Sequence, residues 1–144
     1  MEDFQFIKTF HVRDYECDFQ GIVNNSVYMN YLEHTRHEFA KTIGLDVVDL
    51  AERGINLVVI RAELEYKYPL RSGDTFFVGA AMERASRLRL VFHHRLYLEN
   101  TEKLIMRAKI VLTPMNARGR PFWPDELKQF FEKLSNDAKV QETC

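Results

Sequence analysis

One long helical pattern stands in a chain that otherwise reads as strands. Tyr28, Tyr31, Leu32, Phe39 and Ile43 recur at helical spacing behind Asn24 and Asn25, good residue types for capping a helix start, and Gly44 supplies the stop. That predicts a helix of about 18 residues, roughly 27 Å long. Elsewhere the period is two. Ile60, Ala62, Leu64, Tyr66 and Tyr68 alternate with Arg61, Glu63, Glu65 and Lys67, which predicts a strand wet on one face and buried on the other. A first strand carries Phe6, Phe10 and Val12 and runs out near Tyr15. Three more follow the Arg71–Asp74 turn: Thr75 to Met82, Arg87 to Leu98, and, after the Glu99–Glu102 turn, a last one carrying Leu104 to Leu112. Pro124 opens a terminal helix with Leu127, Phe130, Phe131 and Leu134 on one face. These elements have a joint solution, an α+β domain in which a curved antiparallel sheet of about five strands wraps the long helix. Such long strands leave an edge that a second copy can extend.

The 144 residues predict a single domain over 1–144, with the core elements in 1–135 and a flexible tail over 136–144. Twenty Lys and Arg against 21 Asp and Glu give no reason to expect nucleic acid. Cys17 and Cys144 make no disulfide framework and have no metal-ligand spacing, so a reducing, cytoplasmic setting is the simpler expectation. His34 and His37 lack a third ligand nearby, and His93 and His94 point to opposite faces of a strand. Neither a metal nor a cofactor is therefore expected. The sequence opens without a basic, then apolar, leader and contains no apolar run of membrane-spanning length, so no membrane is expected either.

The stretch with chemical content is Asp18-Phe19-Gln20-Gly21-Ile22-Val23-Asn24-Asn25. It sets one carboxylate on a Gly-bent loop directly before the helix start. First-turn N–H groups have no intrahelical partner and favour developing negative charge, so a carbonyl oxygen docked there would meet both a base and an electrophilic stabiliser. The competing reading of Asp18 is an ordinary loop former. Glu33 and Arg36, three apart on the helix, read as a structural ion pair. Cys17 reads as a packed thiol.

This stretch resembles the acyl-CoA thioesterases of the hotdog-fold superfamily, in the branch similar to 4-hydroxybenzoyl-CoA thioesterase. The resemblance implies that Asp18 is the catalytic carboxylate, as general base or as nucleophile, and that Asn25 donates its backbone N–H to the thioester carbonyl. It implies a loop glycine, Gly21, that lets the ligand approach closely, and an acyl end formed by Val23, Asn24, Tyr28 and Tyr31. Tyr28, Tyr31, Glu33 and Arg36 match the family's helix signature, and Ser72-Gly73-Asp74 matches its turn between strands. Relatives often supply a histidine in this loop, whereas this chain has Ile22 and Asn25, which leaves a carboxylate-only site. Glu33 is the alternative acid, by analogy with another thioesterase branch that uses a helix glutamate.

For the carrier, the resemblance points to coenzyme A held by Arg84, Ser86, Arg87, Arg118 and Arg120, with acyl carrier protein as the alternative. It also implies a homo-oligomer, either a dimer or a dimer of dimers. The rival from another class is a noncatalytic sensor that binds acyl-CoA or acyl carriers in the same pocket.

Overall fold

A computed structural model of the chain describes residues 4–133. Five strands, β1 (Phe6–His11), β2 (Asn56–Tyr66), β3 (Thr75–Ser86), β4 (Arg89–Leu98) and β5 (Leu104–Met115), form one antiparallel sheet in the spatial order β1-β3-β4-β5-β2. Helices α1 (Asn25–Thr42) and α2 (Val47–Glu52) precede β2, and a terminal helix α3 occupies 125–133. Leu134 and the expected tail over 136–144 lie outside the described residues.

Helix α1 begins and ends where its sequence directs. The Asn24 side chain accepts from the Ser26 N–H at 3.1 Å, and Gly44 takes the left-handed φ of +84° that closes such a helix. Its buried face carries Leu32, Thr35 and Phe39, all but closed to solvent. The sheet presents Phe76, Val78 and Ala80 from β3, Leu90, His94 and Leu96 from β4, and Met106 and Ile110 from β5 to the same core. Each large apolar side chain buried here contributes about 1.5–3 kcal/mol. Leu127 and Phe130 of α3 complete the core at the C-terminal end of α1.

Two expectations are corrected. Helix α2 has no counterpart in the periodicity, because six residues are too few to show a period. Asp46 nevertheless caps it, accepting from the Val48 and Asp49 N–H groups. Strand β2 does not bury the face Ile60-Ala62-Leu64-Tyr66-Tyr68. Only Leu57 and Leu64 are partly covered, and Ile60, Tyr66 and Tyr68 are each more than 40% exposed. β2 pairs only with β5 and is therefore the edge of the sheet, and a bulge at Ile60 breaks the register that alternation would need.

Candidate functional site

Asp18 lies at one corner of a tight loop closed by the Cys17–Val23 bridge. Its N–H donates to the Ile22 carbonyl at 2.9 Å, its own carbonyl accepts from Gly21 at 3.0 Å, and its Oδ1 accepts from the Gln20 N–H at 2.8 Å. The carboxylate is thus held by an Asx-type turn with one oxygen outside that bond. Gly21 is fixed by its φ of +80°. Among the described residues, apart from its two chain neighbours, no atom lies within 4 Å of where its Cβ would stand, so space for an approaching ligand is open there. Phe19, at the tip, is 99% exposed. The Asp14 carboxylate accepts from the Ser72 hydroxyl, and the Ile22–Arg71 bridge ties the loop to the turn before β3.

The start of α1 is nearly saturated. Asn24 donates its N–H to the Glu16 carbonyl at 3.0 Å, its Oδ1 takes the Ser26 N–H, and its carbonyl takes the Val27 N–H at 2.9 Å. The Asn25 N–H is left, among the described residues, with no hydrogen-bond partner. The Asn25 carbonyl accepts from the Tyr66 hydroxyl at 3.3 Å, which fastens the helix start to the end of β2.

Val23 and Tyr28 are packed into the core beside this helix start, and Tyr31, also in the core, borders an open hollow with Phe10, Arg13, Glu16 and His34. The Tyr28 hydroxyl accepts from the Leu70 N–H at 3.3 Å, and Tyr31 lies edge-on to Phe76 with ring centres 4.9 Å apart. Burial pushes both phenols above their usual range. It also pushes up the Cys17 thiol, consistent with a packed rather than nucleophilic sulfur.

A cavity of about 210 Å³ opens further along α1. It is lined by Met29, Glu33, Arg36, His37 and Ala40 from the helix, by Met82, Leu90, Phe92 and Leu112 from the sheet, and by Leu127 and Phe130. Asn25, Met29, Glu33, Arg36 and Ala40 follow one another at intervals of three and four, so the unpartnered amide stands at the head of the stripe that walls the cavity. Sequence reasoning missed the chamber because its walls come from seven separate elements, Val47 of α2 and Leu57 and Val59 of β2 among them. The only signal in the sequence was the stripe itself.

The Glu33–Arg36 ion pair expected from their spacing is absent. Glu33 is largely exposed and lies 4.0 Å from His37, whereas Arg36 is 6% exposed and its Nη1 has no partner. Burial of Arg36 against Phe92, 5.8 Å from the ring centre, turns its guanidinium inward, while Glu33 stays at the surface. Desolvation brings the guanidinium down to about 10, so it remains charged at neutral pH. Its charge reinforces burial in holding His94 far below the usual imidazole range, at about 3.

The arginines expected at the carrier gather at the other end of the sheet from the Asp18 loop. Arg84 stacks over Trp123, 3.9 Å from the ring centre, and donates to the Arg87 carbonyl at 2.7 Å; Ser86 sits at a register shift beside them. The Arg118 and Arg120 amides both donate to Asn116 Oδ1, in an exposed loop after β5. The two groups are neighbours because Arg89, at the start of β4, donates to the Thr113 hydroxyl of β5 at 3.0 Å.

The thioesterase-like superfamily matches this chain over residues 12–131. Over 110 residues the chain is 38% identical to the chloroplastic acyl-acyl carrier protein thioesterase ATL3 of Arabidopsis thaliana, a match covering 76% of this chain and 58% of that protein. The chain therefore spans under two-thirds of the plant relative's length. The crystal structure of a hypothetical protein from Aquifex aeolicus, 30% identical, superposes with a TM-score of 0.81 over 87% of this chain and 98% of its own. A 1,4-dihydroxy-2-naphthoyl-CoA thioesterase from Synechocystis, 15% identical, superposes at 0.82 over 87% of this chain and 93% of its own. The hotdog arrangement implied by the sequence, a long helix wrapped by a five-stranded antiparallel sheet, is the arrangement found.

Proposed function

The chain belongs to the thioesterase-like superfamily, and on that premise we propose that it hydrolyses an acyl thioester to a free acid and a thiol. The observation that carries this reading is the unpartnered Asn25 N–H, at the head of the cavity stripe and seven residues from a loop-held carboxylate. The thioester carbonyl oxygen docks on that amide, where the helix start favours the negative charge of a tetrahedral intermediate. Asp18 then acts on the carbonyl carbon, either by drawing a proton from an attacking water or by attacking directly to form an anhydride that water opens. The acyl chain runs down the stripe into the cavity.

The carrier is coenzyme A or acyl carrier protein. Within one chain the arginine-rich sheet end lies beside the acyl cavity and away from Asp18, so those arginines reach the phosphates of either carrier only from a second copy, and the 38% identity to a plant enzyme named for acyl carrier protein favours testing both. The exposed β2 edge, with Val58, Val59 and Ile60 open to solvent, supports pairing with a second copy. Light scattering is expected to give a dimer or a dimer of dimers, and a monomer at micromolar concentration rejects the pairing.

Substituting Asp18→Asn tests the chemistry. The variant is expected to keep its fold and oligomer while losing about 10²–10⁴-fold in thiol release from acyl-CoA or acyl carrier protein. Close to full activity in that variant would remove Asp18 from the mechanism and bring Glu33, at the cavity wall, forward as the acid. Tight acyl-CoA binding with no turnover in the unsubstituted protein would instead favour a sensor.

A further inference from the structure

Arg36 has no role in the reaction just described, yet it is the charged group most deeply buried in the cavity wall. An unpaired buried charge is costly, and proteins retain one where a counter-charge completes it. Glu33 is turned to solvent and acts on the guanidinium only at a distance, and His94 is neutral, so neither forms an ion pair with it. Of the rest of the wall, His37 lies 4.0 Å from Glu33, and the remainder around the guanidinium is apolar: Met29, Met82, Leu90, Phe92, Leu112 and Phe130.

Resting on the thioesterase reading, we propose that Arg36 selects acyl groups whose far end carries a carboxylate, the guanidinium pairing with it inside the apolar cavity. Size and reach agree with that assignment. A cavity of about 150 Å³ lined by apolar side chains holds benzene, so 210 Å³ takes the distal half of a medium-length acyl group and excludes a nucleotide. Along α1, Arg36 lies eleven residues below Asn25, roughly 16 Å at 1.5 Å per residue, and its side chain leans back toward the helix start by several Å. The remaining distance corresponds to roughly eight to twelve bonds of an extended chain at about 1.2 Å each. An acyl group of that length, with its thioester carbonyl on Asn25, brings its far end to Arg36. A methyl end there leaves the guanidinium unpaired, whereas a carboxylate accepts from it in the planar geometry that arginine favours.

The test compares octanoyl-CoA with the CoA monothioester of octanedioic acid, in the full-length protein and in Arg36→Met and Arg36→Lys. The unsubstituted protein is expected to favour the carboxylate-ended substrate in kcat/KM. Arg36→Met should lower the ratio of that substrate's kcat/KM to that of octanoyl-CoA about thirtyfold or more, with Arg36→Lys between the two. A preference for octanoyl-CoA in the unsubstituted protein, or equal losses on both substrates in Arg36→Met, overturns the assignment. Hydrolysis of neither substrate by the unsubstituted protein counts against the thioesterase reading itself. Binding then decides the inference separately: calorimetry should show octanedioate bound more tightly than octanoate, with the difference abolished in Arg36→Met, and equal affinities overturn it.

Discussion

Among the described residues helix α1 leaves polar groups without partners at its head, at the buried Tyr31 hydroxyl and at Arg36, and the first and last of these are opposite in kind. At its head, the Asn25 N–H is free because any helix leaves its first amides unbonded and the Asn24 cap takes only its neighbours. Asn25 is exposed, so leaving its N–H outside the helix costs little and keeps it available to a ligand. Three turns on, Arg36 Nη1 and His94 Nε2 are both sealed in the core without partners, an arrangement that costs folding free energy and must be offset by the apolar contacts around it. A carbonyl therefore finds a ready donor at the head. The interior pair is held at the expense of stability, which is the pattern expected where a buried group serves selection rather than packing.

Replacing Asn25 by proline would break the comparison most sharply. Proline is favoured at the first position of a helix and removes only the N–H that the helix does not use. Asn25→Pro is therefore expected to preserve the melting temperature within a few degrees while lowering kcat about 10²–10³-fold, the cost of one oxyanion donor. Asn25→Ala, which keeps the N–H, should retain most of the activity. Comparable activity in the two variants would mean that the head of α1 is simply a capped helix.

The head of α1 was legible in the sequence because its signals are local: an Asx turn, a capping asparagine and a glycine are each decided within a few residues. The strand order and the interior pair were not. Alternation in β2 identified a strand but misjudged its surroundings, since periodicity records which residues share a face and not whether anything covers it. Likewise, the spacing of Glu33 and Arg36 permits an ion pair, and only the sheet packed against α1 decides that Arg36 turns inward over Phe92. Tyr28 and Tyr31 carried the right period for burial, but no sequence pattern distinguishes a core tyrosine from one lining a chamber.

A smaller effect sharpens the interior half of the comparison. His94 is fully buried, donates from Nδ1 to the Gly79 carbonyl (3.2 Å), lies parallel to Phe92 and feels the charge of Arg36. Its pKa is held at about 3 in the fold against 6.5 in the unfolded chain, so between those values the unfolded chain binds more protons than the folded one. The stability this group contributes is complete above pH 6.5 and is lost as pH falls below it. From pH 7 to pH 5 the loss through His94 alone is about 2 kcal/mol. His94→Gln retains a group able to bond Gly79 O and does not titrate. Urea unfolding at both pH values should therefore show the variant losing about 2 kcal/mol less than the unsubstituted protein over that interval, with the carboxylates common to both cancelling. Equal losses would mean that the imidazole is protonated in the fold, which requires a partner for its Nε2 and removes the contrast with the open head of the helix.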